Sequence, residues 1–542
     1  MFVCFHIRRG RLLAAAGLCL ALGGTAAGDD FVRQMQTDAV AKGQAAWGHW
    51  GVNADRYSSH RSHSNRLIPV YTFGAKLTDY TGTNSAYRDP KLIERLYGQL
   101  PVSTLNPTAT YCDQTDIYYL QRAALEAGKK YIVLIVFDGL DWETTRAAAI
   151  YSSGKVGYDS ERGSGLKFLD YQRAPTDFGY FVTSPHNDGT NVDVNGQVVT
   201  NVGGRRGGGY DARRGGATPW SVPSDAGYLL GQSLTGSTAH PYTDSAASAT
   251  SLTCGIKTYN DAINVDHRGR QFKSIAHLAQ HKGYRVGAVT SVPLSHATPA
   301  AAYAHNVWRS DYQDLARDML GLRSVAHKDR PQPGLDVVIG TGWGAQRKED
   351  AKQGTNFVPG NPFLAEADLA SADVEQGGKY RVVQRARGVD GAAALTKMAN
   401  EAAAKGDRLL GFFGTAAEHL PFATADGGYD PAPSIGAAAE RYSEGDLTEN
   451  PRLKDMAAAA LTVLSAGDKP FWLMIEAGDV DWACHANNID NAIGAIRSGD
   501  DAFGTVAQWL EKRGDWNDAV VIVTSDHGHY FVLTDPKAFA GR

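Results

Sequence analysis

The sequence has few cysteines, no long apolar run after its N-terminus and no excess of charge. Of the five cysteines, Cys112, Cys254 and Cys484 lie beyond the first 30 residues, too few and too widely spaced for a disulfide framework or a CxxC zinc knuckle. The formal net charge of −4 over 542 residues gives no reason to expect a nucleic acid or a membrane surface as partner. These absences argue against a disulfide-built scaffold and leave an ordinary globular protein.

The N-terminus has the pattern of a secretion signal. Basic residues from Arg8 to Arg11 precede an apolar stretch from Leu12 to Leu22, and the small residues Thr25, Ala26 and Ala27 follow. This order is typical of a cleaved signal peptide, and the apolar stretch is short for a transmembrane helix. We therefore predict a signal peptide over residues 1–27 and a periplasmic or secreted protein that does not contact the membrane after cleavage. The alternative is an anchoring helix that is not cleaved.

Short apolar runs alternate with alanine-rich helical patterns after residue 130. Each run is continuous and bounded by Gly, Asp or Ser, as expected of strands buried on both faces. Alternation of such strands with helices predicts an α/β fold with a mainly parallel central sheet flanked by helices. The runs are Tyr131–Phe137, Arg285–Thr290, Leu335–Ile339, Leu409–Phe413, Phe471–Ile475 and Ala519–Thr524.

Two regions depart from this alternation. Residues 28–130 are rich in Tyr, Asn, Ser and Gly, and we expect an irregular N-terminal segment there. Residues 152–235 are glycine-rich and polar, which indicates an insertion. The sequence thus predicts a catalytic domain over residues 131–542 that carries glycine-rich insertions.

Polar side chains follow four of the predicted strands. Asp138 and Glu476 each come directly after an apolar run. Asp526 and His527 follow a third run after one intervening residue, and Thr298 lies a little beyond a fourth. A single Asp in such a place is more often a helix cap. Because ligands of open α/β sheets bind beyond the carboxyl ends of the strands, four strands delivering such groups favour a functional site.

Asp481 and His485 stand four residues apart, close behind Glu476. One helical turn would place both on one face. A carboxylate and an imidazole together suit Zn²⁺, which accepts mixed oxygen and nitrogen ligands. Taken alone, such a pair is more often a surface contact.

Ser245 lies in the run Thr243-Asp244-Ser245-Ala246-Ala247-Ser248-Ala249-Thr250. Ser and Asp at a helix start can be simple caps. If Ser245 begins a helix with its hydroxyl free, the helix N-terminus would attract an anion beside it. A serine hydroxyl needs activation to become a nucleophile, and a metal ion can provide it.

Taken together, these residues resemble the alkaline phosphatase family. The resemblance covers roughly residues 130 to 535 and rests on five motifs in the order of the family. They are Phe137-Asp138-Gly139, the Ser245 run continued to Asp266, Ser295-His296-Ala297-Thr298-Pro299-Ala300, Glu476 to His485, and Thr524-Ser525-Asp526-His527-Gly528-His529.

The resemblance implies two zinc ions and one magnesium ion. Asp481 and His485 would hold the first zinc. The second would lie between Asp138, Asp526 and His527, with Ser245 Oγ bound to it. The ligands implied for magnesium are Asp138, Thr298 and Glu476.

The resemblance also implies a reaction on phosphate monoesters. Ser245 would attack phosphorus and form a phosphoserine, which water then hydrolyses. Arg309, eleven residues after Thr298, matches the substrate-clamping arginine of the family, and its forked guanidinium can bind two phosphate oxygens at once. A homodimer is a further implied possibility.

Two positions depart from the family pattern. His296 stands where some members carry an acidic residue, and we do not count it as a ligand; Trp482 follows Asp481. The family completes its first zinc site with a histidine well beyond the Asp-His pair, but this chain ends soon after His527, at Arg542. We therefore expect a sequence truncated at its C-terminus and a first zinc with only two protein ligands.

Two other function classes stay open at this point. One is a phosphodiesterase or sulfatase-like relative on the same metal scaffold, against which the Ser245 run and Arg309 argue. The other is an inactive secreted phosphate-binding homologue, which the missing zinc ligand favours. Comparing rates on monoesters and diesters, and trapping a phosphoserine, would separate them.

Overall fold

The structure is a computed structural model that describes residues 30–204, 206–232 and 240–541. The predicted signal peptide, residues 1–27, lies outside the described residues. In the described ranges, no helix has both the length and the apolarity needed to cross a membrane. Cys112, Cys254 and Cys484 are buried free thiols.

The strands are, in chain order, β1 (Gly48–Trp50), β2 (His63–Ser64), β3 (Ile68–Phe73), β4 (Cys112–Asp113), β5 (Tyr131–Phe137), β6 (Thr176–Val182), β7 (Asn191–Asp193), β8 (Val198–Asn201), β9 (Arg285–Pro293), β10 (Val337–Thr341), β11 (Tyr380–Gln384), β12 (Arg408–Phe412), β13 (Phe471–Ala477), β14 (Ala519–Thr524), β15 (Gly528–His529) and β16 (Phe531–Leu533).

Ten of these strands form one central sheet in the described chain, in the order β11-β12-β10-β9-β13-β5-β14-β3-β6-β4. Every pairing from β11 to β14 is parallel. Only β3 runs the other way, antiparallel to both β14 and β6. The predicted α/β fold with a mainly parallel sheet is confirmed, and all six apolar runs form strands of this sheet.

The helices are α1 (Phe31–Lys42), α2 (Pro90–Tyr97), α3 (Asp116–Glu126), α4 (Trp142–Ser153), α5 (Lys167–Asp170), α6 (Ala212–Gly215), α7 (Ala226–Leu229), α8 (Ser245–Cys254), α9 (Ile275–His281), α10 (Ala297–Ala301), α11 (Tyr312–Leu320), α12 (Glu366–Ala372), α13 (Gly391–Lys405), α14 (Glu444–Thr448), α15 (Leu453–Leu464), α16 (Asp479–His485) and α17 (Ile489–Arg513). Short 3₁₀ turns lie at Gly82–Asn84, Ala86–Arg88, Gly354–Asn356, Val374–Gln376, Trp516–Asp518 and Pro536–Phe539.

Helices cover both faces of the sheet. Alternate residues of β5 point to opposite faces: Val133 and Ile135 belong to one apolar core, and Ile132 and Leu134 to another. The first core includes residues of α4, α13, α15 and α17, and the second includes residues of α3, α8, α9, α10 and α11. Because both faces are covered, the strands are continuously apolar, as the sequence indicated.

Residues 30–130 have more regular structure than the sequence indicated. They contribute α1, α2, α3 and the strand β3, whose six residues are all buried. The run Ile68-Pro69-Val70-Tyr71-Thr72-Phe73 is short and contains a proline, and a proline argues against a central strand when only the sequence is known. β3 nevertheless pairs along β14, so this segment forms part of the central sheet rather than lying outside it.

Two small pairings attach the same segment to the end of the described chain. β1 pairs antiparallel with β16, and β2 pairs antiparallel with β15. The second pairing sets His63 opposite His529 and Ser64 opposite Gly528. The N-terminal segment therefore reaches the edge of the sheet where β14 ends.

Candidate active site

The central strands bring the predicted acidic residues to one edge of the sheet. β13, β5 and β14 are adjacent and parallel, so their carboxyl ends lie side by side. Glu476 is the sixth residue of β13, Asp138 follows β5, and Asp526 lies two residues beyond the end of β14. All three side chains are buried, at most 1% exposed. This is the edge at which open α/β sheets bind ligands.

These carboxylates form what we call the carboxylate cluster, which consists of Asp138, Thr298, Glu476, Asp526 and His527. Asp138 Oδ1 lies 3.3 Å from His527 Nε2, and Asp138 Oδ2 accepts a hydrogen bond of 3.4 Å from the Thr298 hydroxyl. Potential ligand atoms of Asp138, Asp526 and His527 all lie within 4.8 Å of one another. The structure thus brings together the residues predicted for the second zinc, with Thr298 beside them.

Burial without a cation is unfavourable for this cluster. Burial and then repulsion from Asp526 and Asp481 raise the pKa of the Asp138 carboxyl well above its ordinary range. Burial likewise raises the pKa of Asp526 to about 6 and that of Glu476 to about 8. Because nearby positive charge would restore the ionised forms, these shifts fit a site that holds metal ions.

The contacts of Glu476 point the same way. Its Oε2 accepts a hydrogen bond from the Thr290 hydroxyl, whereas its Oε1 is buried and has no hydrogen-bond partner among the described residues. A buried carboxylate oxygen without a donor is costly. A cation between Glu476, Asp138 and Thr298 would satisfy it, and an all-oxygen set of this kind suits magnesium.

Ser245 is the first residue of α8. Asp244 caps this helix, since its side chain accepts a hydrogen bond from the Ala247 N–H at 2.9 Å. The hydroxyl of Ser245 remains free of the cap and lies 3.2 Å from His527 Nε2 and 3.4 Å from Asp138 Oδ1. The cap and the candidate nucleophile are therefore two adjacent residues with separate tasks.

A second group, which we call the imidazole cluster, lies beside the first and consists of His63, Asp481, His485 and His529. Asp481 and His485 lie on α16, and their Oδ1 and Nε2 atoms are 3.5 Å apart. His529 Nε2 donates a hydrogen bond of 2.8 Å to Asp481 Oδ1. His63 Nε2 lies 3.0 Å from His485 Nε2 and 3.7 Å from Asp481 Oδ1.

Sequence reasoning missed His63. It counted only Asp481 and His485 at this position, whereas the structure adds an imidazole from the N-terminal segment. His63 lies in the polar run Ser58-Ser59-His60-Arg61-Ser62-His63-Ser64-Asn65, where no hydrophobic period marks a strand. Its only sequence signal is a histidine shortly before an apolar run, which is too common to single it out.

Arg309 faces the same cavity as Ser245. The cavity measures about 410 Å³ and is lined by both residues and by His63, Asp481 and His485. Arg309 Nη1 donates a hydrogen bond of 2.8 Å to Asp244 Oδ2, which also accepts from the Asp261 N–H at 3.1 Å. The guanidinium is thus held by the residue that precedes Ser245.

His296 and Trp482 line this cavity too. The His296 ring stacks on Tyr312 and meets the edge of Trp482, with centroids 6.1 Å and 5.9 Å apart. Burial lowers the pKa of His296 to about 3, so it is neutral.

The fold and the site define an α/β protein with a serine and two candidate metal-binding clusters at the carboxyl edge of its sheet. A family model described as alkaline phosphatase matches residues 221–539. This chain therefore belongs to the alkaline phosphatase family. Most of the site lies inside the matched region, but Asp138 and His63 lie outside it.

Similarity to individual members is moderate. The chain is 29% identical to alkaline phosphatase 4 of Bacillus subtilis over 285 residues, which are 53% of this chain and 49% of that protein. It is 31% identical to the alkaline phosphatase of Escherichia coli over 305 residues, 55% of this chain and 60% of that protein. The matches thus span about half to three-fifths of these relatives.

The solved structures that resemble this one include two bacterial alkaline phosphatases. One is the alkaline phosphatase of the bacterium TAB5 in a mutant, His 135 Asp, with Mg bound in the M3 site, at 21% identity and a TM-score of 0.43, covering 74% of this chain and 79% of that chain. The other is the alkaline phosphatase of Thermus thermophilus, at 20% identity and a TM-score of 0.44, covering 74% of this chain and 60% of that chain.

Proposed function

We propose that this chain hydrolyses phosphate monoesters, with Ser245 as the nucleophile. The observation that carries the proposal is the position of the Ser245 hydroxyl. It lies at the N-terminus of α8, within 3.4 Å of both His527 and Asp138, and opens on the cavity that Arg309 lines. A helix N-terminus, an arginine and a serine around one cavity suit a phosphate group.

The residues of the two clusters fit a set of two zinc ions and one magnesium ion. Asp481 and His485 would hold the first zinc. The second would be held by Asp138, Asp526 and His527 together with Ser245 Oγ. Magnesium would take Asp138, Thr298 and Glu476. Mixed nitrogen and oxygen donors suit zinc, and oxygen donors alone suit magnesium.

When bound, such ions lower the pKa of a serine hydroxyl or a water and neutralise charge on the leaving oxygen. Ser245 Oγ attacks phosphorus, and the bond from phosphorus to the ester oxygen breaks, which releases the alcohol. Water then attacks the phosphoserine and frees phosphate and Ser245. Arg309 donates to the phosphoryl oxygens, where negative charge accumulates in the transition state.

Asp244 positions Arg309 for this task. Its carboxylate holds Nη1 at 2.8 Å and accepts a second hydrogen bond from the backbone of Asp261. A guanidinium that is oriented before substrate arrives loses less conformational entropy on binding phosphate. Both the nucleophile and the phosphate clamp are therefore anchored at the first turn of α8.

We further propose that the protein is exported by the signal of residues 1–27 to the periplasm or the medium. Residues 131–542 would form the catalytic domain, with residues 30–130 contributing to its sheet and site. A homodimer is compatible with the family. Small phosphate monoesters are the proposed substrates.

Rates on matched aryl esters test the proposed function. The full chain, loaded with zinc and magnesium, should hydrolyse p-nitrophenyl phosphate far faster than bis(p-nitrophenyl) phosphate or p-nitrophenyl sulfate. Preference for the diester or the sulfate would identify a phosphodiesterase or sulfatase instead. Tight binding of phosphate without turnover of any ester would identify a phosphate-binding protein.

A further inference from the structure

His63 is held at the imidazole cluster by backbone on both sides. β2 pairs with β15, which sets His63 opposite His529. Its Nδ1 lies 3.0 Å from the carbonyl oxygen of Thr243, two residues before Ser245. The side chain is only 10% exposed. The position of this ring is therefore fixed by two elements of the site.

The hydrogen bonds of His63 and His485 determine which ring nitrogens carry protons. A carbonyl oxygen only accepts, so His63 Nδ1 must donate to Thr243. His485 Nδ1 lies 2.6 Å from the carbonyl oxygen of Arg61 and must also donate. In the neutral rings, both Nε2 atoms are then unprotonated and present lone pairs.

These two lone pairs face each other. His63 Nε2 and His485 Nε2 are 3.0 Å apart, a separation at which two acceptors repel unless a cation lies between or beside them. A metal ion bound by both nitrogens removes the repulsion and uses neutral imidazole, the form that binds metals.

Asp481 is the third group beside these two nitrogens. Its Oδ1 lies 3.5 Å from His485 Nε2 and 3.7 Å from His63 Nε2. Ligands at the usual zinc distances in a tetrahedron are separated by about 3.4 Å. The three separations, 3.0, 3.5 and 3.7 Å, are close to this value, so the three atoms would fit one face of a tetrahedral zinc site. All three residues also line the cavity that contains Ser245.

His529 has a different part in this cluster. Its Nε2 donates a hydrogen bond of 2.8 Å to Asp481 Oδ1. This nitrogen therefore carries a proton and offers no lone pair to a metal ion bound by His63, His485 and Asp481. A hydrogen bond of this kind orients a ligating carboxylate. His529 is therefore a positioning residue for Asp481.

We propose that His63 is the third protein ligand of the first metal ion, and that this ion fastens the N-terminal segment to the catalytic domain. The inference rests on the proposed function for the identity of the site. Because Asp481 and His485 belong to α16 and His63 to the N-terminal segment, one bound zinc joins two distant parts of the chain. Loss of this zinc would remove one of the attachments that hold residues 58–65 at the edge of the cavity.

Other contacts also hold this segment in place, so loss of the metal ion need not unfold the protein. Asn487 Nδ2 donates to Ser58 Oγ at 2.7 Å and to the carbonyl oxygen of His60 at 2.8 Å. β3 remains paired along β14. Metal binding and folding can therefore be measured separately in variants of His63.

The experiment compares His63→Ala with His60→Gln in the full chain. His60 is a neighbouring histidine whose Nε2 contacts the carbonyl oxygen of His63 at 3.0 Å, and Gln keeps a donor there. Metal content is measured after dialysis against buffered zinc and magnesium, and cobalt spectra report the coordination number. Hydrogen exchange with and without chelator reports the attachment of residues 58–65.

The proposal predicts that His63→Ala loses one zinc, or binds it at least about 100-fold more weakly, because losing even an orienting partner of a ligand costs 10- to 100-fold. Zinc should protect residues 58–65 from exchange in the parent chain and in His60→Gln but not in His63→Ala. Unchanged zinc content and zinc-dependent protection in His63→Ala would overturn it. A zinc-binding chain that depends on His63 but hydrolyses no phosphate would refute the proposed function alone.

Discussion

The carboxylate cluster and the imidazole cluster adjoin each other but are assembled differently. Asp138, Glu476 and Asp526 stand at or just beyond the ends of three adjacent parallel strands, so the sheet alone brings them together. The imidazole cluster joins α16 to the short pairing of β2 with β15. Adjacent parallel strands thus bring ligands together at positions that the sequence predicts. A strand pair of only two residues can add a ligand from a distant part of the chain, which the sequence does not predict.

The two clusters also differ in their relation to the proposed nucleophile. Ser245 contacts the carboxylate cluster, through His527 and Asp138. Three members of the imidazole cluster, His63, Asp481 and His485, line the same cavity as Ser245, and none of them forms a hydrogen bond with its hydroxyl in the described structure. Variants in each part should therefore fail in different ways.

Replacing Ser245 by Ala should have the largest effect. Without the hydroxyl no phosphoserine forms, and kcat should fall on the order of 10³-fold or more, as for other lost nucleophiles. Steady-state rates on p-nitrophenyl phosphate measure this. Ser251→Ala, on the same helix but bonded to the carbonyl oxygens of Ala247 and Ile256, is the control and should keep its rate. Equal activity in both variants would remove Ser245 from the reaction.

Replacing Arg309 by Lys should have the next largest effect. Lys keeps the charge but cannot bind two phosphoryl oxygens in one plane, so kcat/KM should fall about 10²-fold. The zinc and magnesium content should stay unchanged, because Arg309 contacts neither cluster in the described structure. Inhibition by inorganic phosphate should weaken in parallel. A parent-like kcat/KM in this variant would show that phosphate is held elsewhere.

Replacing Glu476 by Gln tests whether the two clusters bind their metal ions independently. The amide keeps the shape but removes a charged ligand, so magnesium should bind more weakly and kcat should fall about 10-fold, with partial recovery at high magnesium. Zinc in the imidazole cluster should remain, as measured by metal analysis of the same sample. Simultaneous loss of that zinc would mean that the two clusters are one coupled site.

Asp244→Asn should have the smallest effect. Asn still caps α8, but it loses the ion pair with Arg309, so the helix should persist while the guanidinium is less well oriented. We expect KM to rise about fivefold, equivalent to roughly 1 kcal/mol for one hydrogen bond, with kcat little changed. A parallel fall in thermal stability and kcat with unchanged KM would assign Asp244 to the helix alone.

The sheet, and the fact that most of the predicted site residues lie together, were predictable because each signal was local. The run Tyr131–Phe137 predicts a buried strand, and Asp138 directly after it predicts a ligand at its end. Asp481 and His485 share a helix turn, so their spacing predicts that they lie close together. Ser245 was identified by a run of small residues that the family shares.

His63 and the strand β3 were not predictable in the same way. β3 contains Pro69 and runs against its neighbours, so it lacks the signal of a parallel strand. The pairing of β2 with β15 involves two residues on each side and joins opposite ends of the described chain. Only the folded backbone brings His63 to His485, so the expectation of two protein ligands at the first metal left out a third candidate.

The most direct test of the account is to trap the phosphoenzyme. The full chain, loaded with zinc and magnesium, is mixed with p-nitrophenyl phosphate and quenched in acid, and its peptides are analysed by mass spectrometry. The account predicts one phosphoryl group on Ser245, absent in Ser245→Ala and present in Ser251→Ala. Turnover with no phosphoryl group on Ser245, or with one on another residue, would contradict it.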